Sequence, residues 1–401
     1  MKTRTMQRLS ATTSEPPIDA QPNRVTPLGI PDELLDRRSH AAARTLAKPR
    51  STDGGIAMII VMISILVLSI LAGGFAYSMK VETKLALNAN SEAELEWLGR
   101  SGVEYARWIL AQQLMISAEP YDALNQVWAG GQGGIGTSNS PLVNVQREVH
   151  LGDGSFTWKI TDLERKFNIN LGNERILQQA LILMGANASE TTPIVNSILD
   201  WIDNGRNPRV EGAKDEFYQG LSPPYYCKNG PIDDMSELLL VKGITPDVYW
   251  GAVSTNHPQD AFQQRYGPTG PPGQPVIYPV GLVDLFTPMS YGKINVNTAS
   301  AAVLQLLPGL DSTVAEAIVA GRSGEDDGSG LLGPYKNVQE VSRVPEVPRG
   351  LVGQLGQFCD VRSKTFEVEV DAQVGGYHRT FIAVLGRASA RQVDVLTFYW
   401  K

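Results

Sequence analysis

Apolar positions fall along this 401-residue chain in three distinct patterns. From Ile56 to about Tyr77 they run without a single charge, over about the twenty residues a helix needs to cross a ~30 Å hydrocarbon core. Charged, helix-favouring sequence follows at once, with Lys80, Glu82, Lys84, Glu92, Glu94 and Glu96. The helix is therefore predicted to continue past the apolar run. Leu95, Leu98, Val103, Ala106, Trp108, Ile109 and Leu110 then recur at helical spacing and predict one apolar face, ending near Leu114. At 1.5 Å per residue, a helix from Ile56 to Leu114 would be roughly 85–90 Å long.

The second pattern is strict alternation. Val143–His150 and Ser155–Thr161 alternate around Gly152-Asp153-Gly154 and predict a hairpin. Phe366–Val374 and Arg379–Leu385 are predicted to pair across Gly375-Gly376, with a further strand over Val393–Trp400. Between these strands the third pattern is helical, from about Arg175 to Leu240 and again from Ala299 to Arg322. Strands flanking helices predict an α+β fold with a helical insertion. Two loops interrupt the pattern. Residues Ala129–Pro141 are rich in Gly and Ser, and their match to GxGxxG (Gly131, Gly133, Gly136) has no strand before it and no helix after it, so no phosphate cradle is expected. Gly267–Pro275 is rich in Gly and Pro but too short and irregular for collagen.

Charge sets an orientation. Arg37, Arg38, Arg44, Lys48 and Arg50 precede the apolar run, with Asp53 the one nearby acid, so residues 1–55 are expected to stay cytoplasmic and the bulk to be exported. That segment is otherwise polar, contains Pro and lacks hydrophobic period, which predicts disorder. An ordinary secretory signal is disfavoured by the length of the run and its distance from Met1. Two readings stay open: an uncleaved anchor, or a leader cut just before the apolar run. The net charge of −7 argues against a general nucleic-acid binder. Two cysteines, Cys227 and Cys359, are too few and too far apart for a zinc ribbon or CxxC centre; a disulfide and two free thiols both remain possible.

The densest carboxylate constellation comprises Asp200, Asp203, Glu211, Asp215 and Glu216. Asp200 and Asp203 would project from one face near a helix end. Asn204, Gly205 and Pro208 then break the helix and turn the chain back, bringing the other three acids within reach. Hard oxygen ligands on a turning loop suit Ca²⁺, though the spacing is not that of an EF-hand. The plainer alternative is a solvated acidic loop. A paired-carboxylate hydrolase is a third reading, but no nucleophile accompanies the acids. His40, His150, His257 and His378 are scattered, and HExxH, GxSxG and GxxxxGK[ST] are all missing, so catalysis has little support.

A last motif runs Lys293-Ile-Asn295-Val-Asn297-Thr298 through Pro308-Gly309 to Asp311 and Arg322. It resembles a helix-hairpin-helix unit, with Thr298 or Asn297 as the expected cap of the first helix and Pro308-Gly309 as the turn. Such units in other proteins bind DNA phosphates through hairpin amides. Here Asp311 and Glu316 lower phosphate attraction, which favours a structural hairpin. Glu237 to Pro246, with Gly243, is a fainter echo of the same unit.

Several of these blocks occur in one order. Gly55 precedes Ile-Ala-Met-Ile-Ile60, and Asp162-Leu-Glu-Arg-Lys-Phe-Asn-Ile-Asn170 precedes Asp200-Trp-Ile-Asp203. Glu211-Gly-Ala-Lys-Asp215, Pro223-Pro-Tyr225, Asn229, Glu237-Leu, Val241-Lys-Gly243 and Ile294-Asn-Val-Asn-Thr298 follow. In this the chain, from about Gly55 to Lys401, resembles the K proteins of the type II (general) secretion system, the large minor pseudopilins. The resemblance implies a pilin-like long N-terminal helix on an antiparallel sheet, with an inserted helical domain holding helix-hairpin-helix-like units. The implied division is 1–55 leader, 56–78 membrane helix, 79–165 periplasmic helix and first strands, 166–360 inserted helical domain and 361–401 closing strands.

Further implications concern function. Prepilin peptidase would cut between Gly55 and Ile56, and the new N-terminus could be methylated. The mature, non-enzymatic subunit would sit in the inner membrane and cap a periplasmic pseudopilus with minor pseudopilins I and J, H being a further candidate partner; no nucleic acid is expected. The fifth mature residue, usually Glu in pilins, is Ile60 here, and K proteins characteristically lack that Glu. An unpaired carboxylate at that depth would be costly. The resemblance also implies calcium on the Asp200–Glu216 loop, with two departures: Gly205 stands where Asp is common, and Lys214 where Glu is common. The competing classes are a tip subunit of a related type IV pilus or competence system with weak DNA contact, and an anchored periplasmic enzyme.

Overall fold

The computed structural model describes residues 54–134, 137–186, 188–251, 280–322 and 333–401. Most of the leader, the end of the GxGxxG match and the Gly267–Pro275 loop lie outside the described residues. The chain divides into two compact units, Met1–Gly74 and Phe75–Lys401.

Helix α1 is continuous from Gly54 to Met115. In the first unit its side chains, from Ile56 onward, are exposed. Among the described residues it is the one helix long and apolar enough to cross a membrane. In the second unit α1 buries Leu95, Leu98, Val103, Ala106, Ile109 and Leu110. The predicted face is thus present except for Trp108, which is partly exposed and stacks on Tyr105 with ring centroids 5.7 Å apart.

That face lies on a five-stranded antiparallel sheet in the order β1-β2-β7-β8-β9. The strands are β1 (Glu148–Leu151), β2 (Gly154–Asp162), β7 (Thr365–Val374), β8 (Tyr377–Ser389) and β9 (Gln392–Trp400). Phe156, Trp158 and Ile160 of β2, Phe366, Val368 and Val370 of β7, and Phe381 of β8 form one core with α1. Two glycines set the closeness of the helix. A Cβ at Gly99 would come within 2.4 Å of the Phe381 ring, and one at Gly102 within 2.4 Å of Val370. The β7–β8 hairpin closes where expected, with Val374 paired to Tyr377. Gly375 and Gly376 have φ of 53° and 90°, the left-handed pair that such a two-residue turn requires. The first hairpin is shorter than expected. Val143 and Asn144 end a 3-10 turn, Pro141–Asn144, which Pro141 opens and the Ser140 side chain caps, so pairing begins only at Glu148.

The chain leaves the sheet after β2 and returns one strand over at β7, with Asp162 opposite Phe366. Between them it builds a mostly helical block with its own core. Helix α2 (Glu174–Leu183) contributes Ile176, Leu177, Ala180 and Leu181, and α3 (Ala188–Ile202) contributes Ile194, Val195, Ile198 and Trp201. The short helix α4 (Asp215–Gln219) adds Tyr218. Two parallel two-residue pairings stitch this block: β3 (Phe167–Asn168) with β4 (Phe286–Thr287), and β5 (Ile294–Asn295) with β6 (Cys359–Asp360). Both cysteines are buried and free.

Candidate functional site

Three groups of residues answer to the sequence expectations, and a fourth was not foreseen as a group. Gly55 and Ile56 lie in the first turn of α1, with Ile56 exposed and Ile60 one turn further along the same apolar surface.

The carboxylate loop follows α3. Asp200 is fully buried in the last turn of that helix. Its Oδ1 accepts from Arg209 Nη1 at 2.7 Å, and its Oδ2 accepts from the backbone N–H of Arg209 at 3.0 Å and of Ala213 at 3.1 Å. Asp203, on the exposed side, accepts from Arg209 Nη2 at 3.0 Å and from the Gly205 N–H at 2.9 Å. The Gly205 amide, aided by the Arg209 guanidinium, holds the Asp203 carboxyl below its usual range. The predicted reversal of the chain is therefore present, but the five acids do not converge. Glu211 sits at a positive φ of 61°, and its carbonyl, not its carboxylate, meets Lys242. Asp215 Oδ1 accepts from the Cys227 N–H at 2.8 Å, and Glu216 is exposed. Among the described residues, no three His, Cys, Asp or Glu side chains are placed to share a metal ion.

The oxygens that do converge meet a lysine. Lys214 is buried, and its Nζ donates to the carbonyls of Asp200 and Asp203, each at 2.5 Å, and to Asn229 Oδ1 at 2.7 Å. An ammonium has three N–H donors and no acceptor, so this set uses all of them. These residues do not fit a divalent ion as the chain now stands: the space among the loop oxygens holds one cationic side chain, and a guanidinium engages both helix-end carboxylates.

The hairpin motif is present with one correction. The expected caps, Asn297 and Thr298, are turned inward: Asn297 binds the Tyr335 backbone and Thr298 the Asp162 carboxylate. Ser300 caps the first helix, Ala301–Leu304, because Asn297 and Thr298 are already committed to buried partners. Gly309 makes the turn at φ 87°, and Asp311 caps Ser312–Gly321 through the Val314 N–H at 2.9 Å. The echo folds likewise, as a 3-10 turn at Met235–Leu240, Gly243 at φ 83° and a helix at Pro246–Trp250 capped by Thr245.

The unforeseen group is a buried carboxylate cluster where the sheet meets the helical block. Asp162, at the end of β2, accepts from Thr298 Oγ1 at 2.5 Å, Ser363 Oγ at 2.6 Å, Asn295 Nδ2 at 3.2 Å and the Glu164 N–H at 2.8 Å. Glu164 accepts from the N–H groups of Tyr291, Lys364 and Thr365. Asp122 accepts from the Ser363 N–H and is ion-paired to Arg387 of β8. Burial, and next the Glu164 charge, push the Asp162 carboxyl up from 3.8 to about 7; burial raises Glu164 as well, against its three backbone donors. Asp162 and Asn295 stood in blocks noted in the sequence, but Asp122, Ser363 and Arg387 did not. A charge inside the apolar run Phe381–Ala388 was the available signal for Arg387. For Asp122 there was none.

With this arrangement in place, likeness to known proteins is informative. The family model for the type II secretion system (T2SS), protein K, matches residues 160–251, and the helix-hairpin-helix motif matches residues 290–359. The type II secretion system protein K of Klebsiella pneumoniae is 26% identical over 208 residues, covering 49% of this chain and 59% of that protein. The Aeromonas hydrophila protein K is 21% identical over 368 residues, covering 86% of this chain and 96% of that one. The chain thus spans about three fifths of the Klebsiella relative in the matched region. Among solved structures, a chain in the GspK-GspI-GspJ complex of the enterotoxigenic Escherichia coli type 2 secretion system superposes with a TM-score of 0.56 at 18% identity. The superposition covers 78% of this chain and 98% of that one.

The fold is a pilin-like α+β arrangement of long helix and antiparallel sheet that carries a helical, hairpin-bearing insertion. In sequence and in fold the chain is similar to the type II secretion system protein K family.

Proposed function

We propose that this protein is a non-enzymatic minor pseudopilin that initiates or caps the tip of a type II secretion pseudopilus. In this reading residues 56–78 of α1 anchor it in the inner membrane, with residues 79–401 in the periplasm. Prepilin peptidase removes residues 1–55, cutting between Gly55 and Ile56, and the new N-terminus is open to methylation. Minor pseudopilins I and J are its neighbours, the proteins that accompany the structurally similar chain in its complex.

The observation that carries the reading is Ile60. At the fifth position after the cut it leaves the apolar surface of α1 uncharged. A subunit with no carboxylate there has nothing to offer the N-terminal amine of a subunit above it, and a tip subunit needs none. The alternative, a pilus or competence tip subunit that touches DNA, leans on the hairpin. Against it, the carboxylate of Asp311 already takes the Val314 amide and adds negative charge where a phosphate would approach.

Co-purification tests the assignment. The mature chain is expected to recover I and J from detergent extracts, and N-terminal sequencing is expected to begin at Ile56. Failure to bind any pseudopilin would overturn the tip role, and retention of residues 1–55 would return α1 to a plain anchor.

A further inference from the structure

We infer that Lys214 is a built-in cation that closes the Asp200–Glu216 loop without calcium. The inference rests on the coordination geometry and stands whether or not the pseudopilus reading does. Helix α3 ends at Ile202, so its final carbonyls have no further turn to bond and carry the negative end of the helix dipole. A cation is the natural occupant of that position. Two carbonyls, Asp200 and Asp203, and the amide oxygen of Asn229 are the hard, neutral ligand types that a calcium ion takes from a turning loop. Asn229 is held at a positive φ of 51°, and its Nδ2 donates to the Cys227 carbonyl, which fixes which end of the amide faces Lys214.

The lysine reaches these oxygens because of where its backbone sits. Lys214 is the N-cap of α4, its carbonyl accepting from the N–H groups of Phe217 and Tyr218. Its side chain therefore leaves the start of one helix and enters the end of another. Two further cations complete the closure. Arg209 bridges Asp200 and Asp203. Lys242 donates to the carbonyls of Glu211 and Gly212 at 3.1 and 3.3 Å, with Nζ 5.0 Å from the centre of the Phe217 ring. The loop oxygens are thus satisfied by protein charge. A divalent ion entering the same space would have to displace a buried ammonium and face its repulsion.

The test uses the full chain in detergent micelles. Wild-type protein is expected to melt at the same temperature, within about 1 °C, with EGTA or with millimolar CaCl₂. Titration calorimetry with CaCl₂ is expected to show no stoichiometric uptake. Lys214→Met keeps the apolar stem but removes the donors. It should lower Tm by roughly 4–8 °C and speed proteolysis between residues 203 and 216, because three acceptors, the buried Asp200 carbonyl among them, lose their lysine donor. Calcium-dependent melting or one-to-one calcium uptake by the wild type would overturn the inference. So would a Lys214→Met chain that melts and is cleaved like the wild type. If Lys214→Met does not fold, the wild-type measurements still decide.

Discussion

Two buried carboxylates, Asp162 and Asp200, are both fully enclosed and lie in one compact unit, yet they are stabilised in different ways. Asp200 is held locally: the donors to its carboxylate are Arg209 and Ala213, and they include a guanidinium. Asp162 has one local donor, the Glu164 N–H, and is otherwise held by side chains more than 130 residues away, Asn295, Thr298 and Ser363, all of them neutral. The nearest cation in its cluster, Arg387, is paired with Asp122 instead. The first arrangement shapes a loop. The second fastens the inserted block to the sheet, because Asn295 and Thr298 of the block meet Asp162 at the end of β2 and Ser363 just before β7.

The largest expected effect follows from cutting that fastening. Asp122 and Arg387 are both buried, at 0% and 1% side-chain exposure, so removing one strands the other. Arg387→Ala or Asp122→Ala is expected to cost about 3–5 kcal/mol, read from urea unfolding of the detergent-solubilised chain. A loss under about 1 kcal/mol would mean that water enters the junction and the contrast with Asp200 is false. Asp200→Ala should cost less, about 1–3 kcal/mol, mainly for the orphaned Arg209 and Ala213 amides. Its ion pair with Arg209 adds little, because that guanidinium is 38% exposed and screened by solvent. Proteolysis should localise the damage to the loop and leave the sheet intact; cleavage throughout the chain would show that the loop is not a separate element.

Much of the first arrangement, and little of the second, was legible in the sequence. The helical face on α1, the Gly375-Gly376 hairpin and the chain reversal after Asp203 are encoded within a few residues, where spacing and turn chemistry speak directly. The five loop acids were visible for the same reason. That Arg209 and Lys214 would fold back among their oxygens was not, since both look like ordinary surface cations until the turn is closed. Asn297 and Thr298 misled for a related reason. They have the chemistry of caps, but a cap can be given up when a buried partner such as Asp162 is available from elsewhere in the chain. The Asp122–Arg387 pair spans 265 residues, and nothing local marks Asp122 as its end.

Titration offers a subtler way to separate the two regions. Burial lifts Asp162 to about 7 from 3.8, and Glu164 moves in the same direction. The native state then binds more protons than the unfolded chain between those limits, so stability falls as pH rises through the window. The contribution is fully present below about pH 4 and is lost on approaching pH 7, with a slope of at most about 1.4 kcal/mol per pH unit for each carboxyl. Asp203 has the opposite sign. Its carboxyl is depressed, so its contribution is present above the ordinary carboxylate range and is lost as pH falls through its folded value. Unfolding free energy measured across this range should lose part of its downward slope in Asp162→Asn. An unaltered slope would place the titration outside the cluster.

The smallest expected effect concerns a third acid, Asp311, and it decides what kind of element the hairpin is. Its carboxylate caps Ser312–Gly321, and it is exposed where Asp162 and Asp200 are buried. A cap of this kind is worth about 1 kcal/mol, so Asp311→Ala should lose that much while Asp311→Asn, still able to accept from Val314, should lose almost nothing. The two variants also remove the same negative charge from the hairpin mouth. If the hairpin were a phosphate-binding element held in check by that charge, both would gain salt-sensitive affinity for duplex DNA, irrespective of the cap. A structural hairpin predicts the other outcome: stability splits the two variants, and DNA binding stays undetectable in both. Gel-shift assays at low salt alongside thermal melts distinguish these cases, because stability follows the hydrogen bond and any latent affinity would follow the charge.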